Sequence, residues 1–317
     1  MFASVGFLVL GFLLLYGGGE WLVRGAGNLA LRFGMSPFLV GMTIVAFATS
    51  APELAVSLQA ALNGVDDIAI GNVVGSNIAN IGLILGICAL LTPTVVRMRL
   101  IQLDLPWLIV ASGLLTAFLY DGGLSRVGGV VLLAGLTAFL FWNIRVGNPE
   151  QEEDAVKQEF EAVVRPRLGA SVDVLLILLG LVALVGGGAA FVRGGVDLAQ
   201  ALGVPSAVIA LTIVAAGTSL PELATSIVAA ARGDADIAVG NVVGSNFFNI
   251  LAILGITATI QPLERGGITM VDMGVMLAFT IALLPLILVR RCIGRPEGAV
   301  LLAGYVGYVS WLVVNAF

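Results

Sequence analysis

Histidine is absent from the chain, and cysteine occurs only twice, at Cys88 and Cys292. The lack of histidine excludes histidine bases, histidine proton relays and metal ions bound through imidazole. Cys88 lies in an apolar run and Cys292 lies beside two arginines, so neither position indicates a disulfide framework. Any functional site must therefore be built from other side chains.

Charged residues are also scarce. They make up 11% of the 317 residues, whereas a soluble domain usually carries about 25%. Hydrophobic residues make up 59%, and the mean hydropathy is +1.07. So few charges cannot cover a soluble globule of this size, which predicts that the lipid bilayer surrounds most of the chain. The net charge of −5 argues against a nucleic-acid partner.

Long apolar runs predict an all-α membrane protein. A membrane helix needs about 20 mostly apolar residues. The N-terminal run lacks the basic start of a signal peptide, so we expect it to be a retained helix. The chain divides into ten predicted spans, near 3–32, 36–62, 67–91, 100–120, 125–144, 171–201, 205–231, 236–260, 269–289 and 297–316.

The basic residues indicate how these spans are oriented. If the N-terminus lies outside and the spans alternate, 12 of the 15 basic residues fall on the cytoplasmic side. The positive-inside rule therefore favours ten spans with both termini outside. The only long polar stretch, 148–168, becomes a cytoplasmic linker between two five-span halves, 1–147 and 169–317.

The two halves repeat at an offset of 169 residues. Residues 37–86 align without gaps onto 206–255, with 29 of the 50 positions identical. Five spans is an odd number, so the second half enters the membrane upside down relative to the first. Inverted repeats of this kind are typical of secondary transporters, whose sites lie near the midplane on interrupted helices.

Each repeat places one acid inside an apolar span, Glu53 in TSAPEL and Glu222 in TSLPEL. A bare charge at the bilayer centre costs from about 3 to more than 10 kcal/mol, depending on the method. Two such acids at equivalent positions therefore indicate a functional site. The preceding prolines interrupt helical hydrogen bonding. Nearby oxygens that could bind a cation are the carbonyls around Ala46 and Ala215 and the hydroxyls of Thr49, Ser50, Thr218 and Ser219.

The next span of each half carries the motif GNVVGSNxxN. Ser76 and Asn80 are four residues apart, as are Ser245 and Asn249, so each pair shares a helix face. The further asparagines of the motif favour interhelical hydrogen bonds over ion binding; they are Asn72, Asn77, Asn241 and Asn246.

These groups offer oxygen atoms only, without sulfur or imidazole. Such a set favours hard cations such as Ca²⁺ and Na⁺ over soft transition metals. Two carboxylates balance one Ca²⁺, whereas three Na⁺ in their place would leave one positive charge. An exchange of three Na⁺ for one Ca²⁺ would therefore be electrogenic.

The duplicated TSxPEL and GNVVGSN segments resemble the repeats of the cation/Ca²⁺ exchanger superfamily, especially prokaryotic sodium/calcium exchangers. The resemblance covers essentially the whole chain. It implies that Glu53 and Glu222 coordinate Ca²⁺ and Na⁺, with further roles for Thr49, Ser50, Ser76, Asn80, Thr218, Ser219, Ser245 and the carbonyls of Ala46 and Ala215. It also implies that the first and sixth spans slide to switch access.

One position departs from the family pattern. Exchangers of this type often carry aspartate where this chain has Asn249. Asparagine resembles a protonated aspartate in shape and charge but cannot release a proton. This difference weakens a proton-coupled mechanism at this position and leaves the stoichiometry and the potassium dependence open.

The sequence therefore predicts an antiporter in a prokaryotic-type cell membrane, acting as a monomer and without a resident cofactor. Proton/Ca²⁺ exchange and potassium-dependent Na⁺/Ca²⁺ exchange are alternatives within the same fold. A passive cation channel is a more remote one. An intramembrane hydrolase is disfavoured because Ser50 and Ser219 have no histidine or lysine near them.

Overall fold

A computed structural model of the chain describes residues 2–33, 37–96, 99–146, 169–202, 217–288 and 292–316. The polar linker 148–168, the first part of the predicted span 205–231 and the carbonyl of Ala215 lie outside these residues, as do the first residue of the predicted span 36–62 and the last of 269–289.

Helices make up most of the described chain, and four of them contain a π-helical segment. Their bounds follow the predicted apolar runs closely. The helices are α1 (Phe2–Phe33), α2 (Pro37–Val40, π-helical Gly41–Val45, Ala46–Thr49), α3 (Ala51–Leu62), α4 (Asp66–Ala79, π-helical Asn80–Leu85, Gly86–Leu91), α5 (π-helical Leu100–Asp104, Leu105–Tyr120), α6 (Arg126–Val146), α7 (Ala170–Ala201), α8 (Leu220–Ala231), α9 (Ala235–Phe247, π-helical Phe248–Leu254, Gly255–Ile260), α10 (Met270–Leu288) and α11 (Arg295–Ala316).

The lengths and compositions of these helices confirm a helical membrane protein. Among the described residues, eight helices are long and apolar enough to cross a bilayer, or nine if the broken pair α2 and α3 forms one span. Helix α8 is a shorter apolar helix, and the part of its predicted span before residue 217 lies outside the described residues. Ten spans in an inverted repeat therefore remain a prediction.

The chain forms two compact units, each of which combines segments of both sequence halves. The first unit comprises Met1–Thr49, Asn148–Asn241 and Gly307–Phe317, and the second comprises Ser50–Gly147 and Val242–Val306.

The second unit is held together by close packing and two short β-ribbons. Phe139 of α6 stacks on Phe247 of α9, with ring centroids 3.9 Å apart. The strands are β1 (Thr94–Val95), β2 (Gly123–Leu124), β3 (Leu263–Glu264) and β4 (Cys292–Ile293); β1 pairs with β4 and β2 pairs with β3, both antiparallel. The ribbons join the ends of helices far apart in the sequence, which fixes those ends relative to one another.

A ladder of glycines joins α1 and α7 in the first unit. A Cβ added to Gly18 would lie 2.8 Å from the carbonyl oxygen of Gly180, and one added to Gly187 would lie 3.0 Å from that of Gly11. Gly25 and Gly194 make equally close approaches one heptad further along each helix. Glycines spaced seven apart thus let two antiparallel helix backbones touch, as small residues do in membrane helix pairs.

Two glycine triplets, 17–19 and 186–188, lie within α1 and α7, but only one glycine of each belongs to this ladder. Of the triplet at 17–19, only Gly18 faces α7, and of the triplet at 186–188, only Gly187 faces α1. Nothing lies within 4 Å of a Cβ added to Gly17 or Gly186. The heptad spacing, rather than the triplets, is the sequence pattern that marks the contact.

A buried acid also links α1 and α7 near the N-terminal end of α7. Asp173, in the first turn of α7, is fully buried. It accepts a hydrogen bond from Asn28 Nδ2 at 2.8 Å and forms an ion pair with Arg32 Nε at 2.7 Å. A buried carboxylate is tolerated when it is paired and hydrogen-bonded in this way.

We expect Gly187→Ala to destabilise the protein and Gly186→Ala to leave it unchanged or more stable. The first substitution forces α1 and α7 apart, which costs roughly 1–3 kcal/mol as for other overpacked cores. The second meets open space and gains up to about 1 kcal/mol of helix propensity. Thermal unfolding of the detergent-solubilised variants compares the two directly. Equal melting temperatures would contradict the glycine ladder.

Candidate cation-binding site

Glu53 lies at the start of a helix created by a break at Ser50. The backbone of Ser50 has φ −83° and ψ 2°, outside the regular helix, and Pro52 follows within the first turn of α3. The regular ladder resumes where Leu54 N–H donates to the carbonyl of Ser50 at 3.2 Å. The carboxylate is thereby placed in the first turn of a helix, where the helix dipole favours negative charge. Glu53 is fully buried.

Glu222 has the same local structure in the other repeat. Ser219 has φ −87° and ψ 6°, Pro221 follows it, and Glu222 occupies the first turn of α8 with 1% of its surface exposed. Leu223 N–H donates to the carbonyl of Ser219 at 3.0 Å. Two segments 169 residues apart therefore adopt one backbone conformation around a buried acid.

An asparagine donates hydrogen bonds to each of the two helices that carry a buried glutamate. In the second unit, Asn72 Nδ2 donates to the Glu53 carbonyl at 3.2 Å and to Ser57 Oγ at 2.9 Å. In the first unit, Asn241 Nδ2 donates to the Glu222 carbonyl at 3.4 Å and to Ser226 Oγ at 2.9 Å. These contacts are the interhelical hydrogen bonds that the sequence favoured for these asparagines.

Ser57 and Ser226 belong to this arrangement and were missed from the sequence. Both are fully buried. Each follows its glutamate by four residues within the pattern PELAxS, which occurs in both repeats. That spacing places serine on the same helix face as the acid, and its conservation between the two halves was the available signal.

The first unit contains several further predicted oxygen ligands. Thr49 is fully buried, and its hydroxyl lies 3.3 Å both from the Ala46 carbonyl and from Asn241 Oδ1. Ser219 is buried and Thr218 is half-buried. The structure therefore brings Thr49 to Asn241, the asparagine that donates to the Glu222 carbonyl, and the Ala46 carbonyl lies beside the same threonine hydroxyl.

The second unit contains the remaining predicted ligands. Ser50, Ser76, Asn80, Ser245 and Asn249 are all buried. Within the described part of the chain, three of their oxygens have no hydrogen-bond donor: Asn80 Oδ1, Asn249 Oδ1 and Ser245 Oγ. Buried polar atoms are normally satisfied, so oxygens of this kind call for a water or an ion.

The side chains of Asn80 and Asn249 both lie where an α-helix continues as a π-helix. A π-helical segment begins at Asn80, and another, from Phe248 to Leu254, includes Asn249. Segments of this kind inside α-helices occur frequently at functional sites. Their wider turns change the direction of the side chains that follow.

The chemistry of these groups suits a hard cation. Carboxylate, hydroxyl, amide and carbonyl oxygens are the ligands that Ca²⁺ and Na⁺ take. Over the ranges that the structure describes, no three acidic or cysteine side chains form a cluster that could hold a metal ion.

Known proteins are similar to this chain over nearly its whole length. The family model described as "Sodium/calcium exchanger protein" matches residues 3–145 and 172–314. The putative antiporter CaxA of Alkalimonas amylolytica is 39% identical over 97% of this chain and 98% of its own length. The sodium/calcium exchanger MaX1 of Methanosarcina acetivorans is 34% identical over 95% of this chain and 96% of its own.

A solved structure is also similar over nearly the whole length. The sodium-calcium exchanger NCX_Mj, soaked with zero Na⁺ and Ca²⁺, superposes with a TM-score of 0.83 at 33% sequence identity. The superposition covers 98% of this chain and 99% of that one. The resemblance inferred from the repeats is confirmed by these matches.

Proposed function

Because the chain belongs to the sodium/calcium exchanger family, a family of transporters rather than enzymes, we propose that it exchanges Na⁺ for Ca²⁺ across the membrane by alternating access. The observation that carries this proposal is the duplicated break at Ser50 and Ser219, each followed by a buried glutamate in the first turn of a helix. Repeats that are inverted in the membrane provide two nearly equivalent conformations, open to opposite sides.

The proposed ion ligands form two equivalent sets. The acids are Glu53 and Glu222, and Ca²⁺ and Na⁺ compete for them. The neutral ligands are drawn from Thr49, Ser50, Ser76, Asn80, Thr218, Ser219, Ser245 and Asn249, with the carbonyls of Ala46 and Ala215. The oxygens of Asn80, Asn249 and Ser245 support this assignment, because they are buried and accept no hydrogen bond from the described residues.

The charges of the proposed ligands lead to electrogenic exchange. Two carboxylates neutralise one Ca²⁺, and three Na⁺ leave one positive charge in the same place. Each cycle of three Na⁺ for one Ca²⁺ would thus move net charge, and the membrane potential would drive it. The remaining features of the proposal are ten spans, both termini outside and a monomer that works alone.

Proteoliposomes test the function directly. Vesicles loaded with Na⁺ and diluted into Na⁺-free medium should take up ⁴⁵Ca²⁺, and a K⁺ diffusion potential set with valinomycin should change the rate. Absence of uptake under an outward Na⁺ gradient would refute Na⁺/Ca²⁺ exchange. Uptake driven by a pH gradient without Na⁺ would instead establish proton exchange, and a requirement for co-transported K⁺ would establish the potassium-dependent form. Rapid flux without any counter-ion would indicate a channel.

A further inference from the structure

Four asparagines of the second unit form two hydrogen-bonded pairs between α4 and α9. Asn80 Nδ2 donates to Asn246 Oδ1 at 2.9 Å, and Asn249 Nδ2 donates to Asn77 Oδ1 at 3.1 Å. All four side chains are 1% exposed. Asn77 and Asn246 are 169 residues apart, as are Asn80 and Asn249. The Asn80–Asn246 and Asn249–Asn77 hydrogen bonds are therefore equivalent under the sequence repeat.

These two hydrogen bonds determine the direction of the oxygen and of the NH₂ group in each asparagine side chain. A carboxamide has one oxygen that accepts and one NH₂ group that donates. Because Asn77 and Asn246 present their oxygens, Asn249 and Asn80 must turn their NH₂ groups toward them. The oxygens of Asn249 and Asn80 are thereby turned away, and within the described ranges no donor reaches either of them.

The two accepting asparagines are themselves held in place. Asn246 Nδ2 donates to the backbone carbonyl of Asn77 at 3.4 Å, which links α9 to α4 a third time. Asn77 Nδ2 lies 3.9 Å from Met276 Sδ of α10, a weak acceptor. With their NH₂ groups engaged in this way, Asn77 and Asn246 keep their oxygens directed at Asn249 and Asn80.

We propose that Asn77 and Asn246 are positioning residues, which turn the amide oxygens of Asn249 and Asn80 toward the transported cation. The inference rests on the proposed ion exchange and adds to it the groups that orient two neutral ligands. A ligand oxygen already directed at the ion needs no reorientation when the ion binds, and such preorganisation raises affinity. Loss of the orienting acceptor should therefore weaken ion binding more than it slows the transport cycle.

The test compares substitutions that remove or keep the accepting oxygen. Asn77→Leu should raise the KM for Ca²⁺ about tenfold, as expected for loss of one buried hydrogen bond, while the maximal rate stays near wild type. Asn77→Gln keeps a neutral amide oxygen that can accept the same bond and should remain within about threefold of the wild-type KM. Asn246→Leu and Asn246→Gln should repeat this difference through Asn80.

The matched control is Thr280→Val in α10. Thr280 is also 1% exposed and also makes a buried hydrogen bond, from its hydroxyl to the Met276 carbonyl at 2.9 Å, but it contacts neither ligand asparagine through that bond. Its substitution should leave the KM for Ca²⁺ unchanged. If a leucine variant fails to fold, Asn77→Ala or Asn246→Ala removes the acceptor with a smaller side chain and carries the same expectation.

The outcomes separate this inference from the function on which it rests. A wild-type protein without Na⁺-driven Ca²⁺ uptake would refute the exchange itself. An active wild type with unchanged KM in Asn77→Leu and Asn246→Leu would overturn the positioning role alone. So would equal impairment of the leucine and glutamine variants, or a KM shift of the same size in Thr280→Val.

Discussion

Glu53→Gln is expected to abolish Na⁺-driven Ca²⁺ uptake while leaving the protein folded. Glutamine has the shape of glutamate and retains one amide oxygen, so the fully buried position stays filled. What is lost is the negative charge that compensates a dehydrated divalent cation. Removing one partner of a buried charge pair costs about 3–5 kcal/mol, which corresponds to a loss of roughly a hundredfold or more in ion affinity. Uptake of ⁴⁵Ca²⁺ into proteoliposomes measures the effect.

Glu222→Gln should have an equally large effect, because the same backbone break and proline precede it. A single essential glutamate would contradict a site built from two equivalent sets of ligands. The two variants together therefore test the duplication as well as each residue.

Glu20→Gln provides the control for these substitutions. Glu20 is also a glutamate within an apolar helix, but it is partly exposed and forms ion pairs with Arg24 and Arg232. Its substitution removes a charge whose partners remain near water, where ion pairs contribute little. Exchange should persist in Glu20→Gln, and normal exchange in both Glu53→Gln and Glu222→Gln would refute the site assignment.

The positions of the two buried acids and the bounds of the helices were predictable from sequence, because each depends on the local run of residues. An acid inside a 20-residue apolar run is unfavourable wherever the helix packs, and the apolar runs themselves set the helix bounds to within a few residues. The duplicated prolines likewise indicated where regular helix geometry would be interrupted. These inferences needed no knowledge of which helices are neighbours.

The partners of the polar groups were not predictable, because they depend on tertiary contacts. The sequence favoured interhelical hydrogen bonds for Asn77 and Asn246, but nothing in it identified Asn249 and Asn80 as the donors. Similarly, the glycine triplets alone do not distinguish Gly17 and Gly186, where an added Cβ would meet no atom within 4 Å, from the glycines of the ladder. Amide orientation and helix-face contacts are consequences of packing.

The second large effect is expected at the position where related exchangers often have aspartate. Asn249 is neutral, and its NH₂ group donates to Asn77 Oδ1 at 3.1 Å. In Asn249→Asp, a protonated acid can donate to the same oxygen and so resembles the asparagine. An ionised acid cannot donate, so the amide of Asn77 must turn over and give up its weak contact with Met276.

Ionisation of Asn249→Asp should shift selectivity toward Na⁺. A third carboxylate changes the net charge of the Ca²⁺-loaded ligands from zero to minus one, and that of a state loaded with three Na⁺ from plus one to zero. Uncompensated charge in the membrane is costly, so the sodium-loaded state gains relative to the calcium-loaded one. The Na⁺ concentration that halves Ca²⁺ uptake should therefore fall. Because three Na⁺ replace one Ca²⁺, each tenfold change in the exchange equilibrium constant, about 1.4 kcal/mol, lowers this concentration about twofold.

The comparison with wild type at two pH values isolates this charge effect. At acid pH the variant carries a neutral side chain and should resemble wild type in its sensitivity to Na⁺, whereas at alkaline pH it should diverge. The informative quantity is the ratio between variant and wild type of the Na⁺ concentration that halves Ca²⁺ uptake. Any effect of pH on Glu53 and Glu222 is common to both proteins and cancels in this ratio. A ratio that is independent of pH would mean that the side chain at position 249 never carries a charge while ions bind.

The same ratio measured for Asn80→Asp, the equivalent position of the first repeat, tests whether the two amides contribute alike, since both present an oxygen without a donor among the described residues.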